Sequence, residues 1–131
     1  MIFVDSSYFV AAFWAEDGHW EAATRLTDAY AGDRLVTTSH VRGEMWTVMQ
    51  RRAGHAAAAE WVEELSRSRF EVFHIDQQTE HAALRWLRHH PEREYSFVDA
   101  TSFAFMRERA IEHALTFDED FEAAGFELLR P

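Results

Sequence analysis

The chain has 131 residues, 47% of them apolar, and carries 23 acids against 13 bases for a formal net charge of −10. That length suits one domain over residues 1–131 with a sizeable core, and so acidic a protein does not hold a polyanion by general attraction. All 13 bases are arginine and cysteine is absent, which excludes a P-loop, a lysine Schiff base, disulfides, thiolate zinc sites and cysteine nucleophiles.

Ile2-Phe3-Val4 reads as a short apolar strand, and Asp5-Ser6-Ser7 after it as the cap of a helix over Tyr8 to Trp14. The start meets an acid at Asp5 with no basic leader, and no apolar run is long enough to span a bilayer, so the expected location is the cytoplasm, away from membranes. His19 to Tyr30 is a second helix, closed by Ala31-Gly32-Asp33. Leu35-Val36-Thr37-Thr38 is a β-branched strand. Ser39 to Arg52 is a helix with Val41, Met45, Val48 and Met49 inward and Glu44 near its start. His55 to Ser66 follows after Ala53-Gly54, presenting Ala58, Trp61, Val62 and Leu65.

Phe70 to Ile75 alternates as a strand, Thr79 to His89 is helical, and His90 to Glu94 is a loop. Ser96 to Arg109 is an apolar helix with Asp99 in its first turn. Ala114-Leu115-Thr116 is a strand, Asp118 to Ala124 a helical turn, and Phe126 to Leu129 the last strand. Alternating strands and helices indicate an α/β fold, a three-layer sandwich with a mostly parallel sheet of about five short strands. Right-handed crossovers set the strands' C-terminal ends along one edge, where open α/β sheets bind ligands.

Four acids share that edge. Asp5 follows the first strand, Asp118 the strand ending at Thr116, and Glu44 and Asp99 stand early in helices. Carboxylates packed together repel unless a cation joins them, and Mg²⁺ or Mn²⁺ takes oxygen ligands and keeps several waters. A metal would also reconcile so acidic a protein with a polyanionic substrate, because two metal ions about 4 Å apart stabilise both oxygens of a phosphodiester displacement. Each acid also has a plainer reading. Asp99 stands three residues after Ser96, as in a capping box; Asp118 can cap the last helical turn, with Asp120 competing for the inward role; Glu44 can be a solvated helix residue. Asp5 is hardest to dismiss, since an acid ending a buried strand is costly to desolvate without a partner.

Ile2-Phe3-Val4-Asp5-Ser6-Ser7, Glu44, Phe97-Val98-Asp99-Ala100 and Leu115-Thr116-Phe117-Asp118-Glu119-Asp120-Phe121 together give the chain a resemblance, over essentially its whole length, to PIN-domain ribonucleases, specifically VapC-type toxins of bacterial toxin–antitoxin pairs. The resemblance implies a parallel five-stranded sheet between helices, an acidic Mg²⁺/Mn²⁺ site, selective RNA cleavage, and a homodimer silenced by a cognate antitoxin. It matches Asp5 and Asp99 to metal ligands, Glu44 to the second acid and Asp118 to the fourth, with Asp120 beside it. Ser7 and Thr116 match hydroxyl positions that orient water or a phosphate.

RNA contacts must fall to arginine, with Arg42, Arg51, Arg52 and Arg107 as candidates, although solvated helix faces explain each as well. Phe13, Trp14, Trp20, Trp46 and Trp61 are expected in the core or in an apolar groove for an antitoxin segment. Two other readings stand beside the ribonuclease. Another acidic metal-dependent phosphohydrolase falls well behind, since a haloacid-dehalogenase phosphatase needs Asp-x-Asp where this chain has Asp5-Ser6-Ser7, and a receiver domain needs a lysine. A catalytically silent interaction module would keep the fold and the acidic cleft.

Overall fold

The computed structural model describes residues 1–131. Five strands, β1 (Ile2–Val4), β2 (Leu35–Thr38), β3 (Glu71–Phe73), β4 (His113–Leu115) and β5 (Glu127–Leu128), form one sheet in the order β3-β2-β1-β4-β5. Every pairing is parallel. Seven helices connect them: α1 (Ser6–Phe13), α2 (Trp20–Ala29), α3 (Ser39–Ala53), α4 (His55–Arg67), α5 (Gln77–His89), α6 (Phe97–Glu108) and α7 (Asp120–Ala123). From β1 to β3 the chain steps outward in one direction. It then crosses back over the sheet to β4 and continues the other way. With right-handed crossovers, that reversal puts α1 to α4 on one face and α5 to α7 on the other. The packing agrees, with α1 on α2 and α3, α3 on α4, and α5 on α6. The expected three-layer sandwich is the observed one.

Parallel strands covered on both faces must be apolar throughout, and Ile2, Phe3, Val4, Leu35, Val36, Ala114 and Leu115 are all buried. Above and below them lie Tyr8, Leu26, Met45, Met49, Phe103, Phe105 and Phe121, each fully buried. Gly54 (φ 94°) ends α3 and begins α4 in one residue, a left-handed conformation that a side chain would strain.

Element ends differ from the periodicity where side chains intercept the backbone. β3 covers three residues rather than the alternating run Phe70 to Ile75. The Phe70 amide donates to Ser68 Oγ (3.2 Å) and the Ile75 amide to Ser39 Oγ (3.2 Å), so neither joins the ladder. α1 starts at Ser6 because Asp5 is itself the cap, its carboxylate accepting from the Ser7 amide. Trp61 is in the core. Phe13, Trp14 and Trp46 are half-buried against it, while Trp20 stands 37% exposed at the start of α2.

Candidate metal centre

The strand order reverses between β1 and β4, so the crevice at their C-terminal ends is the topological switch point of the sheet. Asp5 leaves β1 there and Thr116 leaves β4 beside it, with the Asp5 amide still donating to the Leu115 carbonyl at 3.1 Å. Asp5 is 2% exposed. Its Oδ2 accepts from Ser7 Oγ and Thr116 Oγ1, both at 2.9 Å, and from the Ser7 amide at 3.3 Å. Those hydroxyls in turn accept from the Phe117 amide (2.9 Å, on Ser7) and the Asp118 amide (3.0 Å, on Thr116). Ser7 and Thr116 therefore hold Asp5 and shape the loop after β4. The proton of each hydroxyl is thereby committed to Asp5.

Asp99 reaches the same crevice from α6. Ser96 caps that helix, its Oγ accepting from the Asp99 amide at 3.0 Å, so the capping reading and the site reading of this segment are both realised. Glu44, half-buried on α3, accepts from Ser6 Oγ at 2.8 Å, and the same hydroxyl lies 3.5 Å from Asp5 Oδ1. Asp118 caps the turn into α7, its Oδ1 accepting from the Asp120 amide at 2.9 Å. Oxygens of Asp99, Asp118 and Asp120 lie within 4.8 Å of one another. The four acids at strand ends and helix starts thus share one crevice, with Asp120 a fifth beside them.

The electrostatics follow from that crowding. Burial pushes the Asp5 carboxyl above its ordinary range, outweighing the hydroxyl and amide bonds that favour its anion. Glu44 is raised first by burial and then by the charges of Asp5 and Asp118, against the Ser6 bond. Asp99 is pushed up to about 8, by burial and then by Asp5, Asp118 and Glu44. Carboxylates this close cannot all ionise without a counter-charge, and an oxygen-only donor set suits a hard divalent cation. Asp99, Asp118 and Asp120 are thus an oxygen donor set that fits a hard divalent cation, with Asp5 and Glu44 close enough to add their charge.

Beside the acids opens a cleft of about 540 Å³, lined among others by Ser6, Ser7, Arg52, Arg93, Asp118 and Asp120. Of the arginines that the sequence suggested for RNA, Arg52 lines it. Arg42 and Arg51 do not, and Arg107 packs its guanidinium 5.4 Å from the Trp86 ring centre and 4.9 Å from that of Phe126. Nothing in the sequence marks Arg93 or Ser6 as a site residue. Arg93 sits in an aperiodic loop, and its partner Asp120 is 27 residues away; Ser6 was legible only as part of a cap. A second, apolar groove of about 220 Å³ lies away from the acids, with Tyr8, Phe9, Phe13, Trp61 and Phe70 in its lining.

An all-parallel five-stranded α/β/α sandwich with acids gathered at its switch point defines a class, and the PIN-domain family model matches residues 2–127. The chain belongs to the PIN-domain family. Among curated proteins it is 46% identical over 131 residues, all of this chain and 99% of the relative, to the 23S rRNA-specific endonuclease VapC20 of Mycobacterium tuberculosis. The crystal structure of VapC20 from Mycobacterium tuberculosis, described as a sarcin–ricin loop cleaving toxin, superposes with a TM-score of 0.94 at 44% identity over 100% of both chains. VapBC2 from Rickettsia felis, solved bound to a DNA fragment from its promoter, shares the fold at a TM-score of 0.73 and 13% identity, over 98% of each chain. No helix is long and apolar enough to cross a membrane.

Proposed function

We propose that this chain is a metal-dependent endoribonuclease, the toxin of a type II toxin–antitoxin pair, with the sarcin–ricin loop of 23S rRNA as its substrate. The observation that carries the reading is the gathering of Asp5, Glu44, Asp99 and Asp118 at the switch point of a chain related along its full length to a 23S rRNA-specific endonuclease. Mg²⁺, with Mn²⁺ as a substitute, is the ion this donor set suits, and when bound it supplies Lewis-acid charge and water of lowered pKa.

Asp5, Asp99 and Asp118 would hold the ion, with Glu44 completing the acidic rim and Asp120 beside Asp118. Ser7 and Thr116 keep Asp5 in place through its Oδ2; Ser6 does the same for Glu44. Direct attack by water leaves a 5′-phosphate and a 3′-hydroxyl and makes no use of the ribose 2′-hydroxyl. The apolar groove between α1 and α4 suits an apolar segment of a cognate antitoxin, and the working unit is a homodimer in the cytoplasm.

The test is cleavage of 23S rRNA by the purified protein in Mg²⁺, with and without EDTA, beside Asp99→Asn. Cleavage is expected to stop in chelator and to fall by roughly 100-fold or more in the variant, since even outer partners of metal ligands are worth 10–100-fold. Cleavage undiminished in EDTA would remove the metal mechanism. A folded protein that cuts no RNA, and whose Asp99→Asn variant is equally toxic in cells, would favour the silent interaction module.

A further inference from the structure

In a protein of net charge −10 without lysine, a side-chain cation for an RNA phosphate has to come from arginine. Two arginines line the cleft next to the acidic cluster, and each is parked on an acid: Arg52 3.5 Å from Asp17, Arg93 2.6 Å from Asp120.

The Arg93 pair is poorly matched to its partner. Nε (3.0 Å) and Nη2 (2.6 Å) both converge on the single oxygen Asp120 Oδ1. A guanidinium fork is best satisfied by two oxygens in parallel, which a carboxylate or a phosphate can offer and which Asp120, presenting one oxygen, does not supply here. Arg93 also belongs to the segment between α5 and α6, outside any helix or strand, with its side chain 45% exposed. Exposed ion pairs contribute little and exchange readily. Asp120 meanwhile lies within 4.8 Å of oxygens of Asp99 and Asp118, so a cation held by those acids would compete with Arg93 for it. In the lining of the same cleft His19 and Phe117 stack at 4.4 Å and 6°. That flat aromatic pair adjoins Asp118 in sequence, and aromatic faces beside a cation are what an unpaired nucleotide strand needs.

We propose that Arg93 is a substrate-positioning residue, exchanging Asp120 for a phosphate of the RNA strand beside the scissile bond, in a cleft walled by the His19–Phe117 stack. This rests on the ribonuclease reading above and adds the residue by which so acidic a chain grips its substrate.

The experiment measures binding of a labelled RNA hairpin carrying the sarcin–ricin loop, with Ca²⁺ replacing Mg²⁺, and its cleavage kinetics in Mg²⁺. The proteins are wild type, Arg93→Gln, Arg93→Lys, Asp120→Asn, the double variant Arg93→Gln/Asp120→Asn, and Arg67→Gln as a surface control, each with its melting temperature recorded. Arg93→Gln is expected to weaken binding about tenfold, to raise KM in step, and to reduce the log–log salt slope by about one. Arg93→Lys should restore the slope but only part of the affinity, and Arg67→Gln should change neither. In the Asp120→Asn background the loss from Arg93→Gln should be larger than in wild type, because no ion pair has to open first. Wild-type affinity and slope in Arg93→Gln would overturn the proposal. So would a loss that vanishes in the Asp120→Asn background, which would mean Arg93 merely neutralises that acid. A wild-type protein that neither binds nor cuts RNA would overturn the ribonuclease reading, and this proposal with it.

Discussion

Asp99 carries the sharpest consequence of crowding at the scale of a single residue. Its carboxyl is held up at about 8 against an ordinary value of 3.8, by burial first and then by Asp5, Asp118 and Glu44. The metal-free folded protein therefore binds a proton there that the unfolded chain has already released. That favourable contribution is complete below about pH 4 and is lost as pH rises toward 8. Asp99→Asn removes the ionising group while keeping its shape and its place after the Ser96 cap. In EDTA at pH 8 this variant is expected to be more stable than wild type by on the order of 1–3 kcal/mol, with the gain shrinking at pH 5. Urea titrations at the two pH values measure it, and a variant less stable than wild type at pH 8 would contradict the crowding. Asp5, also raised by burial, adds to the same slope. Asp5 itself was readable in sequence, because an acid closing an apolar strand calls for a partner. Its bond from Thr116 was not, since that residue is 111 positions away.

Among the elements, α6 shows what local pattern reveals and what it hides. An apolar run opened by a serine three residues before an acid reads directly as a capped, buried helix, and residues 99 to 106 are all buried. The pattern does not disclose that Ser102, wholly buried, has an Oγ with no hydrogen-bond partner. A buried hydroxyl without a partner has lost water and gained nothing in return. Ser102→Ala is expected to leave stability unchanged or raise it by up to about 1 kcal/mol, read from the denaturation midpoint. A loss of that size would show that the hydroxyl has a partner after all. β3 is the converse case, where alternation over Phe70 to Ile75 promised a longer strand. Two serines from neighbouring segments took its end amides, and a side chain brought in from Ser39 leaves no periodic trace near Ile75.

For the molecule as a whole, a net charge of −10 and a focused acidic crevice are expected to make stability answer to divalent cations. A ligand that binds only the folded state at tenfold its Kd adds about 1.4 kcal/mol, roughly 4–7 °C in Tm for a domain of this size. Thermal melts are expected to show Mg²⁺ raising Tm by that order in wild type and by much less in Asp99→Asn. An equal shift in both would place the ion elsewhere. The pH slope should also flatten in Mg²⁺, because the counter-charge arrives with the ion rather than with a proton.

Strand and helix order, the buried first strand and the acids that end strands or open helices were readable from the chain alone. Periodicity, caps and turn residues act over a few positions, and those signals survive in one dimension. Tertiary structure decided that β1 and β4 lie side by side in the order β3-β2-β1-β4-β5, and everything in the crevice depends on that adjacency. It brings Thr116 onto Asp5, and it settles that Asp118 and Asp120 both stand within reach of Asp99. It also gives Arg93 an acid to rest on. Such pairings arise from packing two helical layers over a parallel sheet, an energy summed over the whole core, which no short stretch of sequence records.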